Sequence, residues 1–344
     1  MQSMVRICWL LFPFAAVLGA SQDTVESASK MDSARSCLMA QRYQTGERML
    51  KDLCKQQPDN LEALYLLCMI KQTEILDYES YTVEGENFLA CADSSLSVLT
   101  GALHCQKGKD SLDGLFYIGS ILGGKGVIFA KNGNWPSAVR CALASMGYFK
   151  RIVKVDSNYY AAGYGMGVFK YYMSRNLHWL PFFGDKRPEA LRQIRRALAA
   201  PFPYNYAACN SLCWILIERG EFAAADSLIS EALVSYPDNT LFMRIKMRTA
   251  LGLAHWECAE SLSRRLIDVS LQRCPRNWAD VVSGYQVLVC CYDNLHLGDA
   301  CRDAARTALA MEVPEAYRKI SFVKKHLSYI AGMRKKYSNG DTTE

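Results

Sequence analysis

The chain has 344 residues, half of them apolar and 22% charged, with a formal net charge of +6. This balance excludes a disordered, fibrous or collagen-like chain and leaves ample apolar material for a large core. The mild positive charge is not the concentrated basic patch of a nucleic-acid protein, so no nucleic acid is expected as a partner.

The first twenty residues stand apart. MQSMVR carries one cation, Arg6, and ICWLLFPFAAVLGA follows without a charge before the polar SQDTVESASK. A charged start, an apolar middle and small residues before a polar run predict a secretory signal peptide over 1–20, cut near Ala20. The apolar run falls short of the roughly 20 residues a spanning helix needs. Ser21 stands where a lipid-anchored protein would carry cysteine. A short linker is expected over 21–30. The later apolar stretches 112–130 and 164–183 are interrupted by Lys125, Lys170 and Arg175, so no spanning segment is expected there. The expected location is exported: periplasmic, outer-membrane-associated or secreted.

Beyond the linker the pattern becomes repetitive. The clearest unit is 206–239, YAACNSLCWILIERGEFAAADSLISEALVSYPDN. Leu212, Cys213 and Leu216 recur at helical spacing, and Gly220 interrupts them. A second helical run places Ala225, Ile229, Ala232 and Leu233 on one face, and Pro237 ends it. Ala254, Trp256, Ala259, Ser263 and Leu266 lie 34 residues after Gly220, Phe222, Ala225, Ile229 and Ala232. Upstream, Tyr43, Gly46, Leu50, Leu53 and Pro58-Asp59-Asn60 repeat the same order. Gly133, Trp135 and Ala138 open another second helix, and Ala190, Ile194 and Ala197 mark the next. A looser unit at 280–312 carries Gly298, Cys301 and Ala308.

A glycine at the turn, an aromatic opening the second helix, a close-packing alanine, a bulky residue, a second alanine and a closing proline together resemble the tetratricopeptide repeat. The resemblance implies an all-α, right-handed solenoid of about six or seven helix-turn-helix pairs over 31–313. It also implies protein or peptide partners and a concave binding face. The stretches 59–105 and 157–203 match poorly. A capping helix is expected over 314–336, with Lys319, Lys324, Lys325, Arg334, Lys335 and Lys336 supplying a polar outer face. The tail 337–344 is expected to fray.

Several stretches invite a sharper chemistry. GSILGGKGV, 119–127, falls one residue short of a phosphate-binding loop: Gly126 stands where a Ser or Thr hydroxyl would bind Mg²⁺. No strand–helix alternation surrounds it, so it reads as a helix whose glycines admit a close neighbour. AAGYGMGVF, 161–169, reads the same way. The histidines are scattered. Cys209/Cys213 and His255/Cys258 have helical spacing but no second pair, so no metal or cofactor is expected. Of 14 cysteines, 13 follow the presumed signal, and mostly buried thiols with at most one or two bridges are expected. HWLPFFGDKRPE, 178–189, interrupts the fourth pair as a loop.

Tyr159, Tyr160, Tyr164, Tyr171 and Tyr172 crowd one inner helix. Tyr164, Lys170, Tyr171 and Arg175, with Trp179 and Arg187 from the adjoining loop, are the candidate partner-binding residues. Against this stands an ordinary inner-helix core with tyrosine edges. Lys186, Arg187, Arg192, Arg195 and Arg196 form a basic cluster suited to acidic peptides, envelope polymers or anionic lipid, so peripheral membrane contact is carried with it. The expected function is a non-enzymatic, exported interaction scaffold. An envelope enzyme using the solenoid as a substrate cradle and a structural subunit of a secretion assembly are the alternatives.

Overall fold

A computed structural model describes residues 27–103, 108–177, 184–200, 202 and 205–338, and among these the only regular elements are helices. A first helix, α1, covers 27–39. There follow α2 (Tyr43–Gln56), α3 (Leu61–Asp77), α4 (Tyr81–Leu103), α5 (Gly108–Lys131), α6 (Trp135–Val155), α7 (Tyr160–Leu177) and α8 (Arg187–Leu198). The second half contains α9 (Asn205–Glu218), α10 (Phe222–Ser235), α11 (Thr240–Gly252), α12 (Trp256–Gln272), α13 (Trp278–Asn294), α14 (Gly298–Ala310), α15 (Glu315–Arg318) and α16 (Ser321–Ser338). Helices α1 to α14 form seven consecutive pairs. From α2 to α14 each helix packs on the next, and the first helices α3, α5, α7, α9 and α11 also touch in series. The first helices therefore form an inner layer and the second helices an outer one, an all-α solenoid as the repeat predicts.

The turn inside six of the seven pairs has one construction. Gln41, Glu79, Gly133, Gly220, Ala254 and His296 adopt φ between 51° and 78°. Each stands two residues before the second helix opens, at Tyr43, Tyr81, Trp135, Phe222, Trp256 and Gly298. The next N–H reaches back to the preceding helix in every case, as in Glu221 to Leu216 and His255 to Ala250, both 2.9 Å. This left-handed closure satisfies carbonyls that the helix end leaves open. Only two of the six are glycine, which is why the turn is inconspicuous in the sequence.

Close packing then selects small side chains. Gly46, Ala138, Ala190, Ala225, Ala259 and Cys301 are each the fourth residue of their helix and are buried. Ala225 and Ala259 are 0% exposed. Asn60, Asn134, Asn239 and Asn277 cap α3, α6, α11 and α13 by accepting a backbone N–H.

Both glycine-rich stretches meet at one side chain. The Phe149 ring of α6 lies between Gly119 of α5 and Gly165 of α7. A Cβ would come within 2.7 Å of the ring at Gly119 and 2.5 Å at Gly165. Ser145 Oγ donates to the Gly119 carbonyl at 2.6 Å. Lys125 is buried and pairs with Asp93 of α4, so GSILGGKGV lies inside α5 and its lysine is engaged. By length and composition α5 could cross a membrane, but half of its most apolar window is packed inside the fold.

Three boundaries differ from expectation. Residues 27–30, assigned to the linker, are already helical, and Ser27 Oγ donates to Gln57 Oε1 at 3.0 Å. The single capping helix is broken into α15 and α16 because Ile320 turns inward, 3% exposed. Tyr337 and Ser338, assigned to the tail, belong to α16. Asp293 accepts from Lys336 Nζ and Tyr337 OH, both at 2.5 Å, which holds the last turn. The expected signal segment 1–20 and loop residues 178–183 lie outside the described residues. The twelve cysteines within them are all free thiols; Cys258 and Cys274 are exposed.

The two ends of the solenoid also meet. Asp77, last residue of α3 and 0% exposed, receives Arg244 Nη2 and Thr240 Oγ1 on Oδ1 at 2.8 and 3.2 Å. Gln41 Nε2, Tyr43 OH and Arg273 Nη1 donate to its Oδ2 at 2.9, 2.9 and 2.8 Å. Asn277 Nδ2 donates to its backbone carbonyl at 3.1 Å. Asn239 Nδ2 donates to the Met39 carbonyl, and Tyr78 OH to that of Pro275. One buried carboxylate thus joins α2 and α3 to α11, α12 and α13.

Candidate functional site

Closing the superhelix leaves a cleft of about 430 Å³ beside the Asp77 network. Its walls come from α2, α3 and α4 on one side and from Pro275, α15 and Ile320 on the other. The α2–α3 wall carries Glu47, Lys71 and Glu74, and Tyr78 and Tyr317 also line the cleft. An adjoining hollow of about 330 Å³ shares Gln44, Glu74, Tyr78 and Pro275.

The charges here are unevenly matched. Glu47 bridges Lys51 and Lys71 at 2.8 and 2.6 Å. Burial pulls its carboxyl up, but these two ammonium partners outweigh burial and hold it below the usual range. The Glu74 carboxylate makes no ion pair or hydrogen bond among the described residues. Burial, then the Glu47 charge, raises its carboxyl above the ordinary value. Asn87 Nδ2 donates to Glu84 Oε2 at the rim, 2.9 Å. An unpaired carboxylate in a half-buried cleft with tyrosine edges can accept hydrogen bonds from an incoming chain.

The six residues expected to bind a partner are distributed differently. Tyr171 is 2% exposed and belongs to the core with Ala190, Ile194 and Leu212. It is corrected to a packing residue, because α8 and α9 close over that side of α7. Tyr164 OH shares a hydrogen bond with Ser211 Oγ at 2.8 Å and donates to the Ala207 carbonyl, tying α7 to α9. Lys170 pairs with Glu189 at 2.7 Å, Arg175 with Glu218 at 2.6 Å and Arg187 with Asp185 at 2.8 Å. The first two pairs join α7 to α8 and α9, and the third is local to the start of α8. Trp179 lies outside the described residues.

None of the cleft residues was singled out by sequence reasoning. One signal was available: Glu74 and Asp77 fall at the end of the apolar helical run LYLLCMIKQTEILD, where an acidic residue needs a partner. Among the described residues no group of three or more His, Cys, Asp or Glu is placed to hold a metal ion. His255 is the N-cap of α12 and Cys258 is exposed, so that pair does not build a site.

The class defined by these features is an all-α solenoid of tetratricopeptide-like pairs, drawn into a closed superhelix. No family model and no curated protein matches the chain. It is similar to a solved tetratricopeptide repeat protein from Parabacteroides merdae, at 11% identity and TM-score 0.39, covering 89% of this chain and 98% of that one. It is also similar to the C-terminal part of a TPR repeat-containing protein from Cytophaga hutchinsonii, at 12% and 0.41, covering 86% and 99%. A third is PilW, a type IV pilus biogenesis factor, at 12% and 0.42, covering 88% and 98%. At these identities and scores the fold rests on this chain's own helices, and none of the three says what this chain binds.

Proposed function

We propose that the chain is a non-enzymatic protein-interaction scaffold, exported and freed of residues 1–20, that takes an extended segment of a partner protein into the closure cleft. The observation that carries the reading is Glu74: a carboxylate with no ion pair or hydrogen bond among the described residues, lining the cleft with Tyr78 and Tyr317 where both ends of the solenoid meet. A fixed framework supports it, because the buried Asp77 network holds the two walls at a set separation. Preformed walls cost a partner little ordering on binding. The Glu74 carboxylate and the Tyr78 and Tyr317 edges suit a peptide bearing N–H donors or a cation.

The test is photo-crosslinking in cells from a probe placed at Asn87 on the cleft rim, with Val234 on the outer layer as control. One partner crosslinked from Asn87 and not from Val234 is expected. Equal capture from both sites, or none from Asn87, refutes the cleft. Export is checked separately by the mass of the exported chain, which should begin just after Ala20; an intact Met1 there refutes removal of the leader.

A further inference from the structure

The outer face of α6 is unlike that of its neighbours. Trp135, Val139 and Leu143 recur every four residues and so share one side of the helix. They are 61%, 44% and 56% exposed. Val127, in the last turns of α5, adds another exposed aliphatic group, at 40%. Further along the same helix stand Lys150, Arg151 and Lys154, all exposed. Among its 21 residues α6 has four cations and no carboxylate. Lys150 and Lys154 make no ion pair among the described residues, and Arg151 lies over the Tyr148 ring at 5.6 Å. Asp156, just past the helix, is occupied by the Asn158 N–H at 2.8 Å.

The basic cluster of α8 joins this face. Arg196 Nη2 donates to Asn158 Oδ1 at 3.3 Å, which brings the end of α8 to the turn after α6. Arg192, Arg195 and Arg196 are exposed on α8, Arg195 beside Glu221 at 3.6 Å. The result is an outer surface, carried mainly by the second helices α6 and α8, with an apolar, tryptophan-led half and a cationic half. Apolar groups stay unfavourably wetted unless covered, and unpaired lysines on long stems seek anions. A tryptophan beside aliphatic residues and flanking cations is the composition of a helix that lies in a membrane interface.

We propose that this face docks the protein onto an anionic phospholipid bilayer. Trp135, Val139 and Leu143 enter the boundary between headgroups and acyl chains, and Lys150, Arg151 and Lys154, helped by the α8 arginines, hold the headgroup phosphates. The cleft is lined by α2, α3, α4 and α15, none of which carries the docking face. This inference is independent of what the cleft binds.

Vesicle flotation tests it, using phosphatidylcholine with about one-third phosphatidylglycerol against phosphatidylcholine alone. The full chain should float with the first, not with the second, and lose binding as salt rises. Replacing Lys150, Arg151 and Lys154 together by Gln should weaken binding about a hundredfold, at roughly fivefold per charge. Val139→Ser with Leu143→Ser should also release the chain while the circular dichroism melt stays unchanged, since both residues are exposed. Brominated acyl chains should quench a tryptophan signal that disappears in Trp135→Phe. Failure of the native chain to float overturns the proposal, as does flotation that both variants leave intact. Retention on a polyglutamate column without flotation assigns the cations to an acidic protein and overturns it equally.

Discussion

Arg244 Nη2 donates to Asp77 Oδ1 at 2.8 Å across 167 residues of chain. An open solenoid has contacts only between neighbouring units, so its stability is a sum of local terms and its ends unfold independently. This ion pair makes the third and eleventh helices neighbours. It is fully buried on the Asp77 side, where an ion left without its partner is strongly penalised.

Asp77→Ala should therefore cost about 3 to 5 kcal/mol in urea unfolding, because Arg244 and Arg273 lose a shared counter-ion. It should also split one unfolding transition into two, as the chain's ends uncouple. Arg244→Met added to Asp77→Ala should cost far less than Arg244→Met alone. Additive losses would mean that the two residues act separately.

Asp280 gives the network a pH dependence. Burial pushes its carboxyl from 3.8 up to about 7; Arg244 opposes the rise and Asp77 reinforces it. Arg244 Nε is 3.1 Å away, yet Asp280 Oδ1 accepts no well-aligned hydrogen bond. A raised carboxyl binds its proton more tightly folded than unfolded, so this group's stabilisation is full below the unfolded value and is lost as pH rises to about 7. The stability of the native chain relative to Asp280→Asn should fall across that window and level off above it. A flat difference, measured by urea melts at several pH values, would contradict this.

The turn residues make opposite predictions at two equivalent places. Ala254 holds φ at 58° and Gly220 at 75°. An L side chain pays about 1 kcal/mol or more in that region, while glycine loses extra chain entropy. Ala254→Gly should stabilise by about 0.5 kcal/mol and Gly220→Ala should destabilise by about 1 kcal/mol. Thermal melts of the two variants read both signs.

Phe149 and its flanking glycines test the close packing. Gly119→Ala should destabilise by about 1 to 3 kcal/mol, since the new methyl meets the ring. Phe149→Leu in that background should recover part of the loss by vacating the space. If Gly119→Ala raises the melting temperature instead, as helix propensity alone would predict, the ring is not confined as described.

Much of the fold was legible because a helix pair leaves a local imprint. Ala225 and Ala259 were readable as contact points since the same small residue recurs at the same register. Gly119 and Gly165 were readable as close approaches, though not as two sides of one ring. Phe149 itself carries no sign of the glycines it meets. The binding residues fared worse. Tyr171 and Lys170 looked like a groove because tyrosine and lysine suit partners, yet the same properties let them fill the core and bridge α7 to α8. Sequence spacing cannot tell a side chain facing a partner from one facing the next helix of its own chain.

By itself the sequence determined the unit: two helices joined by a short turn, small residues where the rods touch, and a stack of such units. Those features depend on interactions within a few dozen residues, which periodicity records. Only the tertiary structure decided that the stack curls until Asp77 reaches Arg244, Arg273 and Asn277, and that this closure creates the cleft around Glu74. Small rotations between successive pairs add up over the chain, and their sum is written in no single repeat.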